Sequence, residues 1–275
     1  MYEKYLNKEY ADLQKVADQF KENYKNASPF PSISFKNFFN PEFLEKVLSE
    51  FPDLSKGSSL KLKHENSNKL ASKGVERFGQ YTIEFTSFLN SEPFLNFLRI
   101  LTSIERQLIP DPYFFGGGFH EIKKGGFLKI HSDFNFHDTL KLDRRLNILT
   151  YLNKDWKEEY GGHFELWDEK MEKCESKILP EFNTLALFST TSLSYHGHPN
   201  PLDCPDDRSR KSLALYYYSN GRPDNEIISG LEEHSTLYQK RKEDNTSFKS
   251  SLKKLAKDFT PPIIFRGIQN LKNTK

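Results

Sequence analysis

Cysteine is scarce in this chain, with only Cys174 and Cys204 among 275 residues. That excludes a disulfide-stapled scaffold and suits a reducing compartment. Long apolar runs are also missing. The most apolar windows, Leu185 to Phe188 and Leu213 to Tyr218, are strand-sized, whereas a membrane helix needs roughly 18 to 20 residues. Neither charge sign is in excess, because 40 Lys and Arg stand beside 38 Asp and Glu for a net charge of +2. A general affinity for nucleic acid or another polyanion is thereby excluded. The polar start M-Y-E-K-Y-L-N-K-E-Y does not read as a secretory signal, and the expected location is cytoplasmic. No internal repeat is present.

What the chain does have is a change of texture near residue 113. Before it the pattern is helical. Leu6, Tyr10, Leu13, Val16 and Phe20 recur at three- and four-residue steps and predict one docking helix that ends before N-A-S-P-F-P. In F-N-P-E-F-L-E-K-V-L-S-E-F-P, Asn40 is a cap, Pro41 suits the first helical position and Phe51-Pro52 ends the element. Ser91-Glu92-Pro93 opens a third helix with Leu95, Leu98 and Leu101 as buried positions. The stretch Lys56 to Lys73, rich in Ser, Asn and Lys, predicts a mobile loop, with Lys63 and His64 where a lid would lie.

From Tyr113 to about residue 220 short aromatic and β-branched runs alternate with Gly, Asn, Asp and Pro. Strands at that spacing, with no helical pattern between them, predict an antiparallel sandwich or jelly roll. The expected fold is mainly β with flanking helices (α+β). Its divisions are a helical segment over 1–112, a jelly-roll core over 113–222 and a basic extension over 223–275, read as one catalytic domain overall. In the extension, Phe248, Leu252, Leu255 and Phe259 mark an amphipathic helix, read as a tail packed on the barrel or as a surface for a partner or a lipid-linked substrate.

The core carries the chemistry. In G-F-L-K-I-H-S-D, side chains two apart share one face of a strand, so His131 and Asp133 point the same way and Ser132 turns from them. An imidazole and a carboxylate so placed suit one metal, with a third ligand from a neighbouring strand. Alone, H-x-D is more often a hydrogen-bonded pair. Candidates for the third ligand lie in S-Y-H-G-H-P, where Pro199 argues against a strand that reaches His198 and so favours His196. His137, past the expected strand end, reads as a surface or supporting histidine. Further on, R-S-R-K-S-L-A-L-Y-Y-Y carries cations into an apolar strand, and a buried cation needs an anion. Period-two counting puts Arg210, Ser212, Ala214 and Tyr216 on a cavity face and Lys211, Leu213, Leu215 and Tyr217 on a packing face. The same counting aligns Arg145, Asn147, Leu149 and Tyr151. Phe134, Phe136, Tyr216 and Tyr218 are candidate pocket aromatics.

In this order, H-x-D, Y-L-N-K-D-W with G-G, H-G and an arginine opening the last strand resemble the iron(II) and 2-oxoglutarate dependent oxygenases, in the prolyl 4-hydroxylase-like branch. Y-L-N-K-D-W followed by G-G is especially similar to the hypoxia-sensing prolyl hydroxylases, and F-P-S-I-S-F-K-N-F-F-N-P-E-F-L resembles the entry segment of bacterial members. The resemblance implies a double-stranded β-helix with the N-terminal helices packed on its outer sheet. It implies His131, Asp133 and His196 as ligands of Fe(II), with Arg210 and Tyr151 on 2-oxoglutarate and Asn147 placed beside them as a further contact. Arg208 is the alternative to Arg210, since N-P-L-D-C-P-D-D lengthens the approach to this strand. The implied reaction uses O2, with ascorbate as a candidate reductant. It hydroxylates an unactivated C–H of a peptide or small molecule, prolyl-type or glycan-linked, and releases succinate and CO2. Two other readings are a cupin-like metal enzyme without 2-oxoglutarate and a non-enzymatic jelly-roll module for carbohydrate. Oligomeric state is open.

Overall fold

Asp12, not Leu6, starts the first helix. Its side chain accepts from the Lys15 amide and caps α1 (Leu13–Lys25). The stripe expected to run from Leu6 is split there: Leu6 forms a lone bridge with Phe39, and Lys8–Tyr10 is a single 3-10 turn. α2 (Pro41–Ser49) begins as the sequence predicts, with Asn40 Oδ1 accepting from the amides of Glu42 and Phe43. α3 (Gln80–Leu89) has no counterpart in the sequence reading because Gly79 offers no capping side chain. Glu50 reaches across from the end of α2 to accept from the Tyr81 and Thr82 amides, a tertiary cap that local pattern cannot reveal. α4 (Glu92–Thr102) buries Leu98 and Leu101 fully and Leu95 partly.

The computed structural model describes residues 2–57 and 59–244. The chain divides into one unit over Met1–Gln239 and a second over Lys240–Lys275; the expected tail helix around Phe248 to Phe259 lies outside the described residues. In chain order the strands are β1 (Ser32–Lys36), β2 (Leu60–His64), β3 (Ser67–Ala71), β4 (Ile109–Pro110), β5 (Gly118–Lys123), β6 (Leu128–Ser132) and β7 (Phe136–His137). They continue as β8 (Leu142–Tyr151), β9 (Phe164–Trp167), β10 (Cys174–Ile178), β11 (Thr184–Ser189), β12 (His196–His198), β13 (Ser209–Ser219) and β14 (Leu237–Tyr238). They pair in the order β1-β11-β8-β13-β5-β3-β6-β12-β9-β10, a mostly antiparallel, nearly closed barrel of the jelly-roll kind.

Alternation along the central strands decides which side chains meet the helices. Leu185 and Leu187 of β11, Leu146 and Ile148 of β8, and Leu213, Leu215 and Tyr217 of β13 pack outward against Phe85, Phe94, Phe97 and Leu98. At about 1.5–3 kcal/mol for each fully buried side chain, this layer is the main support of the barrel. The opposite set, Asn147, Tyr151, Ala186, Phe188, Arg210, Ser212 and Tyr216, is left to the interior, and all of these are buried.

The stretch 56–73 is a correction. It forms the β2–β3 hairpin, and β3 pairs with both β5 and β6, bridging the two halves of the barrel. Its polar composition misleads because β2 is exposed throughout, while β3 buries Ser67 and Ala71. The sheet also recruits β1 and, from beyond residue 222, β14, which pairs with β6. Among the described residues no helix is long and apolar enough to cross a membrane.

One buried polar side chain ties the helical layer to the sheet. Asn183, at φ +64°, accepts from the Phe39 amide at 2.9 Å and donates to the Phe39 carbonyl at 2.8 Å. Asn183→Ala orphans both backbone groups and is expected to lower stability by about 2–4 kcal/mol, read as a lower urea midpoint at unchanged slope.

Candidate metal centre

β12 lies beside β6 with His196 directly opposite His131. Strand pairing thus brings together two imidazoles that are far apart in the chain, at 4.5 Å between ring centroids. Asp133 lies just past the end of β6. Its Oδ1 is 3.5 Å from His131 Nε2, and its Oδ2 is 3.4 Å from His196 Nε2. All three residues are buried, with ligand atoms within 4.8 Å of one another.

Backbone carbonyls set the imidazole tautomers. Nδ1 of His131 is 2.8 Å from the Lys129 oxygen, and Nδ1 of His196 is 2.8 Å from the Ser194 oxygen. A carbonyl only accepts, so each Nδ1 carries the proton and donates it, and each Nε2 turns a lone pair inward. Two lone pairs and a carboxylate then converge with no donor among them, an arrangement that a cation completes. Burial raises the Asp133 carboxyl, but its neighbours, the Arg144 guanidinium first, hold it well below its usual range. Burial, then the neighbouring His196, pushes His131 down and favours the neutral ring. These are the protonation states a metal requires.

Asp133 Oδ2 also accepts from Arg144 Nη2 at 2.8 Å and from Asn147 Nδ2 at 2.9 Å. Arg144 is wholly buried, its guanidinium 3.4 Å from the Tyr216 ring centroid and 4.4 Å from that of Phe134. Period-two counting selects Arg145 for this place and misses Arg144. The cause is a register shift in the β8–β13 pairing, where Tyr217 opposes Leu146 and Tyr218 opposes Arg144. Arg145 is the bulged residue, bound to Ser219 and Glu226 instead. Asn147 also serves the carboxylate. One N–H of its side-chain amide is donated to Asp133, and the residue lines the same cavity as Arg210. Asn147→Ala is expected to weaken metal binding by about tenfold or more by loosening the carboxylate, as measured by competition with a metal indicator.

Arg210 lies on the same cavity as the triad, together with Lys69, His120, His198 and Ser212. It donates through Nε to the Gly162 carbonyl at 2.7 Å and through Nη2 to the Tyr151 hydroxyl at 3.1 Å. Both partners are neutral, so the buried guanidinium faces no carboxylate. Arg208 points elsewhere, to the Lys154 carbonyl. Gly162, at φ +75°, lets this contact form: a Cβ there would stand 3.0 Å from the arginine's own Cδ.

His198 departs from its expectation. β12 does reach it, and Pro199 only ends the strand. Its ring is buried in the cavity with both nitrogens unpaired, and burial, then Arg210 and Lys69, pushes it well below the usual histidine range. Lys69 enters from β3, and burial pushes its ammonium down to about 8, so it is still charged at neutral pH. The solvated look of the hairpin hides it in the sequence. His137 is buried too, against Phe115 and Tyr218. Tyr238 of β14 packs on His131 at 5.4 Å and meets His64 at 5.7 Å. Of the pocket aromatics, Tyr216 lines the metal cavity. Phe134 and Phe136 line an adjoining groove with Phe115, and Tyr218 is fully buried. A larger cavity beside Tyr24, Arg106 and Arg145 holds no such ligand group among the described residues.

Comparison with known proteins agrees with the jelly-roll fold. Residues 117–218 match the family model described as the 2OG-Fe(II) oxygenase superfamily. No curated protein matches. Among solved structures, a Pseudomonas putida prolyl-4-hydroxylase superposes with TM-score 0.53 at 14% identity, over 74% of this chain and 100% of that one. A Trichoplax adhaerens prolyl hydroxylase, solved with a hypoxia inducible factor oxygen degradation domain peptide fragment, gives TM-score 0.53 at 18% identity over 78% of this chain and 93% of that one. At such identities the superpositions establish the shared fold.

Proposed function

We propose that this chain, a 2-oxoglutarate-dependent enzyme with a 2OG-Fe(II) oxygenase domain over residues 117–218, holds Fe(II) through His131, Asp133 and His196 and hydroxylates an unactivated C–H. The observation that carries the reading is one cavity that joins an acceptor-only triad to a buried arginine lacking an anion. When bound, iron supplies oxygen activation coupled to decarboxylation of 2-oxoglutarate to succinate. The chain's own residues do the rest. The Lys129 and Ser194 carbonyls hold the imidazoles in the ligating tautomer. Arg144 and Asn147 fix the Asp133 carboxylate. Arg210, steadied by Gly162 and Tyr151, receives the far carboxylate of 2-oxoglutarate, for which its planar fork is better shaped than an ammonium.

Charge supports the pairing. Two neutral imidazoles and a carboxylate leave iron(II) at +1, doubly negative 2-oxoglutarate takes the cluster to −1, and Arg210 restores neutrality. Burial of the triad and Arg210 limits the water that reaches them. We place the substrate among prolyl-type compounds, peptidyl or free, or small glycan-linked molecules, a reading supported by the fold shared with prolyl hydroxylases, one of them solved with a peptide.

The test measures succinate formed from 2-oxoglutarate across free proline, prolyl peptides and glycan-linked probes. Iron-dependent succinate that rises with one class identifies that class. No iron-dependent succinate with any probe contradicts the reading.

A further inference from the structure

The cavity holds more positive charge than iron chemistry with 2-oxoglutarate needs. Arg210 and Lys69 both line it, while among the described residues Asp133 is the only carboxylate on its wall. With iron(II) in place these groups bring four positive charges against one negative. 2-Oxoglutarate removes two, and one remains unbalanced, on a strand where Lys69 is half-buried. Arg144 is committed to Asp133 and to the aromatic rings, and Arg210 is the co-substrate's partner in the reading above. Lys69 is left over. Among the described residues it makes no ion pair or hydrogen bond, yet it projects from β3 into the cavity beside His120 and His198.

An uncompensated ammonium in such a place is costly unless a ligand neutralises it. His198 adds a second indication, since both nitrogens of its buried ring are unpaired on the same wall. His120 is already held by the Gly116 carbonyl at 3.0 Å. A single ammonium with one free imidazole matches a carboxylate. A phosphate ordinarily recruits several backbone amides or a guanidinium fork, and the guanidiniums here are taken.

We infer that the substrate hydroxylated in this site carries a carboxylate close to its target C–H, and that Lys69 receives it as a specificity-determining residue. The inference rests on the oxygenase reading. It narrows that reading to acidic or free-carboxylate substrates and makes the β2–β3 hairpin a substrate-binding element.

The experiment uses full-length protein loaded with nickel(II) and 2-oxoglutarate, titrated calorimetrically with matched probes: L-proline and L-prolinamide, a prolyl dipeptide and its amide, and O-phospho-L-serine. Wild type is expected to bind a carboxylate member about tenfold or more tighter than its amide, the size of one charge-assisted hydrogen bond. Lys69→Met should erase that preference, and Lys69→Arg should keep part of it. The affinity of Lys69→Met for 2-oxoglutarate should stay within about twofold of wild type. Equal binding of both members of every pair, no binding at all, or a preference for phosphoserine alone would overturn the inference. So would a loss of 2-oxoglutarate affinity in Lys69→Met as large as in Arg210→Met, which would give Lys69 to the co-substrate. Failure of the oxygenase reading shows separately, as wild type that binds no 2-oxoglutarate in the presence of nickel.

Discussion

Asp133→Ala is expected to abolish iron-dependent succinate formation, a loss beyond the roughly 10- to 100-fold that removing an outer partner of a metal site costs. The carboxylate is the only anionic ligand in the group, so without it the metal keeps two neutral donors. The substitution has another consequence, because Arg144 Nη2 and Asn147 Nδ2 both end on Asp133 Oδ2. Alanine would leave a wholly buried guanidinium without its counter-ion, a change that costs about 3–5 kcal/mol in comparable pairs. Asp133→Asn separates the effects, since its amide oxygen still accepts from Arg144. The expected result is a folded Asp133→Asn protein, cooperative in thermal unfolding, that retains little iron after equilibrium dialysis. Iron content equal to wild type in that variant would remove Asp133 from the ligand set.

Arg210→Met is expected to act with two signs. Affinity for 2-oxoglutarate should fall by about 30-fold or more, since truncating one partner of a buried charge pair costs about 2–5 kcal/mol. Stability of the ligand-free protein should rise, because a buried cation with only the Gly162 carbonyl and the Tyr151 hydroxyl as partners is replaced by an apolar chain of similar length. Arg210→Lys should recover part of the affinity, since one ammonium cannot hold Gly162, Tyr151 and a bidentate carboxylate at once. Calorimetric titration of 2-oxoglutarate and scanning calorimetry read the two effects. An affinity unchanged in Arg210→Met would assign the far carboxylate to another cation.

The sequence exposes the parts of this site that obey strand alternation and hides the parts that break it. His131 and Asp133 are legible because the register shift in the β12–β6 pairing falls between Leu128 and His131 and leaves their two-residue step intact, and Arg210 because β13 runs regularly from its first residues. Arg144 is illegible because the bulge at Arg145 shifts the count by one, and two adjacent arginines give no local clue to which turns inward. Lys69 is hidden differently. The hairpin that carries it is polar in composition because its outer strand is exposed, and burial of its inner strand comes from pairing with β5 and β6, far away in sequence. The helices divide in the same way. α2 announces itself through Asn40 and Pro41, while α3 depends on Glu50 for the cap its own residues do not supply. Pro199 steers the strand reading away from His198. Yet a proline only biases the residue before it toward extended backbone, which a strand already has, so β12 keeps His198 as its last residue.

The most direct test is an anaerobic titration of 2-oxoglutarate into wild-type protein, run with and without one equivalent of iron(II). If His131, Asp133 and His196 share a metal beside Arg210, binding saturates at one 2-oxoglutarate per chain and requires the iron. Binding that is equally tight without metal, or no binding with it, would contradict the shared site.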